Sequence, residues 1–219
     1  MIDITTLYQV ERKQMVKYGL SLFQRGYATG GAGNLSILLD DGNVLATPTG
    51  ACLGELNEGT LSVVTLDGAH LAGDPPSKEI DFHRQIYRAN SKHKAVVHLH
   101  CTYLTALSCQ KDLNTSDAIQ AFTPYYVMRV GQLPVIPYYR PGAPQIAQDL
   151  AKLSVDHNAI LMANHGVTVM GTSLQAATYN LEELEETAKL RFILGEGNTR
   201  HLTSEEITEL RTSYAVPPR

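Results

Sequence analysis

Lys94-Ala95-Val96-Val97-His98-Leu99-His100-Cys101 is a run of strand-forming residues that ends in a His-x-His pair. Apolar, β-branched composition over so short a length reads as a β-strand. In a strand, residues two apart share a face and stand about 7 Å apart at the backbone, so His98 and His100 can turn both imidazoles toward one ion. The pair alone serves packing as readily as ligation, because histidine is often partly buried. What surrounds it carries the argument further.

On the N-terminal side, residues 77–90 return to helical spacing, with Ile80, Arg84 and Tyr87 on one side and Phe82 and Ile86 on another, after a Pro75-Pro76 start. This spacing predicts a helix whose first turn carries Glu79, where the helix dipole favours the ionised carboxylate. Further back, Leu7, Val10, Val16, Leu20 and Phe23 predict an amphipathic helix that stops at Gly26. Residues 35–39 and 43–47 around Asp40-Asp41-Gly42 predict a hairpin, and residues 61–66 another strand. On the C-terminal side come a short helical stretch through Leu104 and Leu107, a strand at residues 135–138 and a helix over 145–153. Residues 159–170 read as two strands broken by Asn164-His165-Gly166. A long helix over 173–194 follows, with Ser173 as cap and Glu182, Glu183, Glu185 and Glu186 as a solvated face. Paired strands with helices between them predict an α/β protein, a central, mostly antiparallel sheet covered by helices on both sides. Residues 1–219 are expected to form a single domain, and the tail after Tyr214 a loosely held end.

Composition narrows the function. The chain has 219 residues, is 43% hydrophobic and has a formal net charge of -4. No Lys/Arg run offers a track for nucleic acid. No segment approaches a membrane span and the N-terminus does not read as a signal peptide, so the expected location is cytoplasmic. Cys52, Cys101 and Cys109 form no CxxC, which argues against disulfides and thiolate metal sites and leaves them as small buried residues. Of the eight histidines, His70, His83, His93, His157 and His201 lack partners by spacing and read as ordinary residues.

His165 lies beside Gly166 at a strand-to-strand turn, where it is either a hydrogen-bonded turn residue or a third ligand. Three imidazoles with an open fourth position are the arrangement of a catalytic rather than a structural zinc site. Glu79 near such an ion could ligate it at rest and act as general base once substrate displaces it. Gly33-Asn34-Leu35-Ser36, Thr47-Pro48-Thr49-Gly50 and Ser77-Lys78 are each ordinary turn chemistry singly. Together they supply the hydroxyls, amide and backbone N–H groups of a phosphate nest, which makes Asn34, Ser36, Thr47, Thr49, Gly50, Ser77 and Lys78 the candidate anion-binding residues.

Those three turns, extended to Ser77-Lys78-Glu79 and followed in order by His98-Leu99-His100 and Asn164-His165-Gly166, resemble the class II aldolase family that includes L-fuculose-phosphate aldolase and L-ribulose-phosphate 4-epimerase. The resemblance covers about residues 7–210. It implies a three-layer α/β/α fold, a homotetramer with sites at subunit boundaries, zinc on the three histidines, and phosphate contacts from the turns. One departure is Lys78, where the aldolases carry a second serine; an ammonium there could meet a substrate carboxylate. The segments 46–50, 73–79, 123–129, 137–142 and 182–189 are more similar to the family's 3-oxo-tetronate 4-phosphate decarboxylase branch. That likeness implies loss of CO2 from a small phosphorylated sugar acid to give dihydroxyacetone phosphate. It also implies Glu79 as acid–base group and Tyr125 of the tyrosine loop as proton donor, with Tyr126 as fallback; Arg129 and Arg140 in the same stretch read either as anion contacts or as members of structural ion pairs. The competing readings are an aldolase or epimerase acting on a neutral sugar phosphate such as fuculose 1-phosphate, and a non-catalytic adducin-like module.

Overall fold

The computed structural model describes residues 7–195 and 197–214. Its strands are β1 (Asn34–Leu38), β2 (Asn43–Ala46), β3 (Ser62–Thr65), β4 (His70–Ala72), β5 (Ala95–Leu99), β6 (Val135–Ile136), β7 (Ala159–Met162) and β8 (Gly166–Gly171). They form one sheet in the order β4-β3-β2-β1-β5-β8-β7-β6. Only β6 and β7 run parallel; the other neighbours are antiparallel. The helices are α1 (Gln9–Gln24), α2 (Ile80–Ala89), α3 (Thr102–Ser108), α4 (Pro124–Arg129), α5 (Pro144–Leu153), α6 (Leu174–Leu194) and α7 (Ser204–Ser213).

Side chains alternate across the pleat and make two cores. Leu35, Leu45, Val63, Val97, Leu99 and Val169 pack with Met15 and Leu22 of α1, Leu104 of α3, Val127 of α4 and Leu181 of α6. Val44, Val64, Val96, Ile160 and Met170 face the other way, onto Phe82 and Ile86 of α2 and Ile146 and Leu150 of α5. The result is the expected α/β/α layering.

Register places the site. Asn34 opposes His98 and Ser36 opposes Val96 across β1 and β5, so Asn34, Ser36 and His98 share the face that looks onto α2. Leu99 opposes Val167, which brings the β7–β8 turn beside the end of β5. Two glycines allow these approaches. Gly33 sits at φ +84°, and a Cβ there would lie 2.8 Å from the His98 carbonyl oxygen. A Cβ on Gly166 would stand 2.5 Å from the Leu99 carbonyl oxygen.

Several expectations are corrected. Helix α2 starts at Ile80, which leaves Glu79 as its N-cap residue rather than in the first turn. The cause is a tight turn before it, in which Glu79 N–H donates to Ser77 Oγ and Ile80 N–H to the Ser77 carbonyl. Residues 124–129 are a helix, not a loop: Pro124 occupies the first turn and the Thr123 hydroxyl accepts the Tyr126 N–H. Strand β4 and helix α7 were not read from the sequence. Glu185 is buried rather than solvated, Cys109 is exposed and Cys52 half-buried. The tail, residues 215–219, lies outside the described residues.

Candidate metal centre

Strand β5 ends where its two histidines emerge, and the β7–β8 turn delivers the third. One ligand nitrogen from each of His98, His100 and His165 lies within 4.8 Å of the others. The Nε2 atoms of His98 and His100 are 3.1 Å apart. Tetrahedral zinc with Zn–N bonds of about 2.0–2.1 Å needs neighbouring nitrogens about 3.3 Å apart, so this pair is set at nearly the required spacing.

The protonation states fit. His98 Nδ1 lies 3.0 Å from the Val167 carbonyl oxygen. A carbonyl only accepts, so Nδ1 carries the hydrogen and Nε2 keeps its lone pair for an ion. Burial first, and then the neighbouring imidazoles, hold His98 and His100 below the usual histidine range. Both are therefore neutral near neutral pH, the form that ligates.

Glu79 faces this cluster with both oxygens, Oε2 at 3.5 Å from His98 Nε2 and Oε1 at 3.5 Å from His165 Nε2. The Asn34 side-chain amide donates to Glu79 Oε2 at 2.7 Å. The donor set, with three imidazoles and a carboxylate around an open side, fits a divalent ion.

The anion-binding candidates divide in two. Thr49, Gly50 and Lys78 are exposed and Ser77 is half-buried, around the turn where Ser77 N–H donates to the Thr47 carbonyl and Thr49 N–H to the Pro75 carbonyl. Asn34, Ser36 and Thr47 are buried. Their polar atoms are engaged inside: Thr47 Oγ1 accepts the Leu35 N–H, Ser36 Oγ meets His83 and Tyr87, and Asn34 holds Glu79. These three side chains thus face protein partners rather than the open rim. Lys78 and Glu79 border a small cavity of about 100 Å³ against Phe82, Gly142 and Ile146.

Tyr125 is not brought to this cluster within the chain. It is 58% exposed and lines a pocket with His93, Met170 and Gly171. Gly171 pairs with Ala95 at the start of β5, whereas His98 and His100 lie toward its far end, about 10–17 Å away at strand rise. Tyr126 cannot stand in for it: the side chain is fully buried and its hydroxyl donates to Asp117 at 2.7 Å. The polar partner missed in sequence is His83, whose Nε2 meets Asn34 Oδ1 at 2.6 Å. Its place four residues after Glu79, one helical turn further on, was the available signal.

Residues 13–192 match the family described as Class II Aldolase and Adducin N-terminal domain. The chain belongs to the class II aldolase family. Among its relatives within the class II aldolases is a 3-oxo-tetronate 4-phosphate decarboxylase from Pectobacterium atrosepticum, 61% identical over 92% of this chain and 93% of the relative. The solved structure of YgbL from Escherichia coli superposes with a TM-score of 0.91 at 59% identity, covering 93% of this chain and 98% of that one. L-fuculose 1-phosphate aldolase superposes with a TM-score of 0.83 at 26% identity, over 96% and 99% of the two chains. Among the described residues, no helix of this class II aldolase is long and apolar enough to cross a membrane.

Proposed function

We propose that this class II aldolase is a metal-dependent carboxy-lyase that converts 3-oxo-tetronate 4-phosphate into dihydroxyacetone phosphate and CO2, in the breakdown of four-carbon sugar acids. The observation that carries the reading is the 61% identity, over nearly the whole of both chains, to a decarboxylase of that name. Zinc is the proposed ion, on His98, His100 and His165, with Glu79 alongside. The retained ligand set speaks against a non-catalytic module.

When bound there, the ion supplies Lewis-acid stabilisation of the negative charge that develops on the substrate's oxygens. The residues do the remainder. The hydroxyls of Thr49 and Ser77 are the proposed contacts for the phosphate, at the turn that also carries Gly50. Lys78, beside the cavity next to Glu79, is the proposed contact for the departing carboxylate. Breaking the C1–C2 bond releases CO2 and leaves its electron pair delocalised over C2 and the C3 ketone as an enediolate. Protonation at C2 completes dihydroxyacetone phosphate. Glu79, held by Asn34, is the acid–base group for the C2 hydroxyl proton.

Tyr125 is the proposed donor of the C2 proton, and its position away from its own chain's histidines supports the reading that it serves the site of a neighbouring subunit. The proposed assembly is accordingly a homotetramer with sites at subunit boundaries, residing in the cytoplasm and acting as one domain per chain.

The test is release of CO2 and dihydroxyacetone phosphate from synthetic 3-oxo-tetronate 4-phosphate by zinc-loaded protein. Faster turnover of fuculose 1-phosphate or ribulose 5-phosphate would overturn the assignment in favour of a neutral sugar phosphate.

A further inference from the structure

Behind the Glu79–Asn34 pair runs a file of buried polar groups that ordinary packing of α2 on the sheet does not require. His83 and Tyr87 lie on α2 and Ser36 on β1, buried beside Val44, Val96, Phe82 and Ile86. Ser36 Oγ is 2.7 Å from His83 Nδ1 and 2.7 Å from the Tyr87 hydroxyl. His83 Nε2 is 2.6 Å from Asn34 Oδ1, and Asn34 Nδ2 is 2.7 Å from Glu79 Oε2.

Donor and acceptor chemistry gives this file one direction. An ionised carboxylate only accepts, so Asn34 must turn its NH2 toward Glu79. Its carbonyl oxygen then faces His83 and only accepts, so His83 must carry a hydrogen on Nε2. In the neutral ring, Nδ1 is left with a lone pair, which accepts the Ser36 hydroxyl hydrogen. Ser36 in turn accepts from the Tyr87 hydroxyl. Reversing any link would set two acceptors or two donors against each other without water to separate them.

We propose that His83 is a positioning residue for Glu79: held in its Nε2–H form by Ser36 and Tyr87, it fixes the Asn34 amide so that a donor always meets the carboxylate. This rests on the reading of Glu79 as the acid–base group. A flipped Asn34 would present Oδ1 to Glu79, repel it, and free it from its seat beside His98 and His165. His83 touches neither substrate nor ion and acts only through Asn34.

The first test needs neither substrate nor metal. In metal-free protein labelled with 15N-histidine, the His83 ring nitrogens are expected to show the Nε2–H tautomer, and Ser36→Ala or Tyr87→Phe to mix in the other; an Nδ1–H tautomer in the wild type would overturn the proposal. The second test is kinetic. His83→Phe is expected to lower kcat about 10–100-fold, the usual effect of losing such an outer hydrogen bond. KM and zinc content should stay near wild type, and His83→Gln, which keeps a donor near the Nε2 position, should recover part of the loss. In an Asn34→Ala background, His83→Phe should add little, because the two act as one unit. Additive losses, or a lowered Tm with kcat per bound zinc unchanged, would reduce His83 to a packing residue. Should the wild type fail to release CO2 from the keto acid, the substrate assignment falls alone: the tautomer is read without substrate, and the same cycle runs on whichever sugar phosphate is cleaved.

Discussion

The Glu185 carboxylate, on α6, accepts the backbone N–H groups of Tyr103 and Leu104 at 2.9 Å each. These are first-turn amides of α3, whose N-cap, Cys101, directly follows His100. The carboxylate therefore ties the segment that presents a metal-facing histidine to the longest helix, and satisfies donors that a helix start leaves orphaned.

Glu185→Gln would place an NH2 group against one of those amides. Expected outcomes are a stability loss of about 1–3 kcal/mol and a metal affinity about tenfold weaker, with turnover at saturating metal near wild type. Thermal unfolding and chelator competition read the two effects separately.

Acid should destabilise the metal-free protein through His83. Burial, and secondarily the neighbouring His98, lower its pKa to about 3, below the ordinary 6.5. The unfolded chain takes up a proton near pH 6.5 that the folded protein refuses until about pH 3. Stability from this group is thus complete above 6.5 and falls by about 1.4 kcal/mol per pH unit below it. Urea unfolding of wild type and His83→Gln between pH 7.5 and 4.5 should show the slope in the first and a shallower one in the second.

If Tyr125 serves a neighbouring site, two inactive variants should complement. Tyr125→Phe and Glu79→Gln, dissociated and reassembled together, should regain about a quarter of wild-type activity by random pairing. Absence of recovery in verified mixed oligomers would place the proton donor elsewhere.

Lys78→Ala should raise KM for the keto acid about tenfold, while inorganic phosphate, as a competitive inhibitor, is weakened less. Equal weakening of both would assign Lys78 to the phosphate rather than the carboxylate.

The sheet was legible because its central strands are short apolar, β-branched runs bounded by Asp-Gly and Gly-containing turns, and the candidate site because His98, His100 and His165 stand at strand ends. Helix α4 was hidden by its tyrosines, although Thr123-Pro124 marks a helix start. Helix α7 also had a signal, the Thr203 and Glu206 capping box, with each side chain bonded to the other's backbone N–H. Glu185 and His83 were misread for a common reason. Spacing could at most put His83 one turn after Glu79, and only tertiary packing shows that Glu185 meets the start of α3 and His83 the back of Asn34. No spacing rule reveals that Thr47 spends its hydroxyl indoors while Thr49, in the same motif, stands exposed.

That split between enclosed and open hydroxyls has a consequence for how the enzyme can change. Thr49, Gly50 and Lys78 are exposed at the rim, and side chains there can be exchanged without breaking a buried bond. Ser36, His83 and Tyr87 cannot be altered one at a time without stranding a polar atom. Single substitutions at the rim are therefore expected to be tolerated, whereas the buried file behind Glu79 is expected to change only as a set.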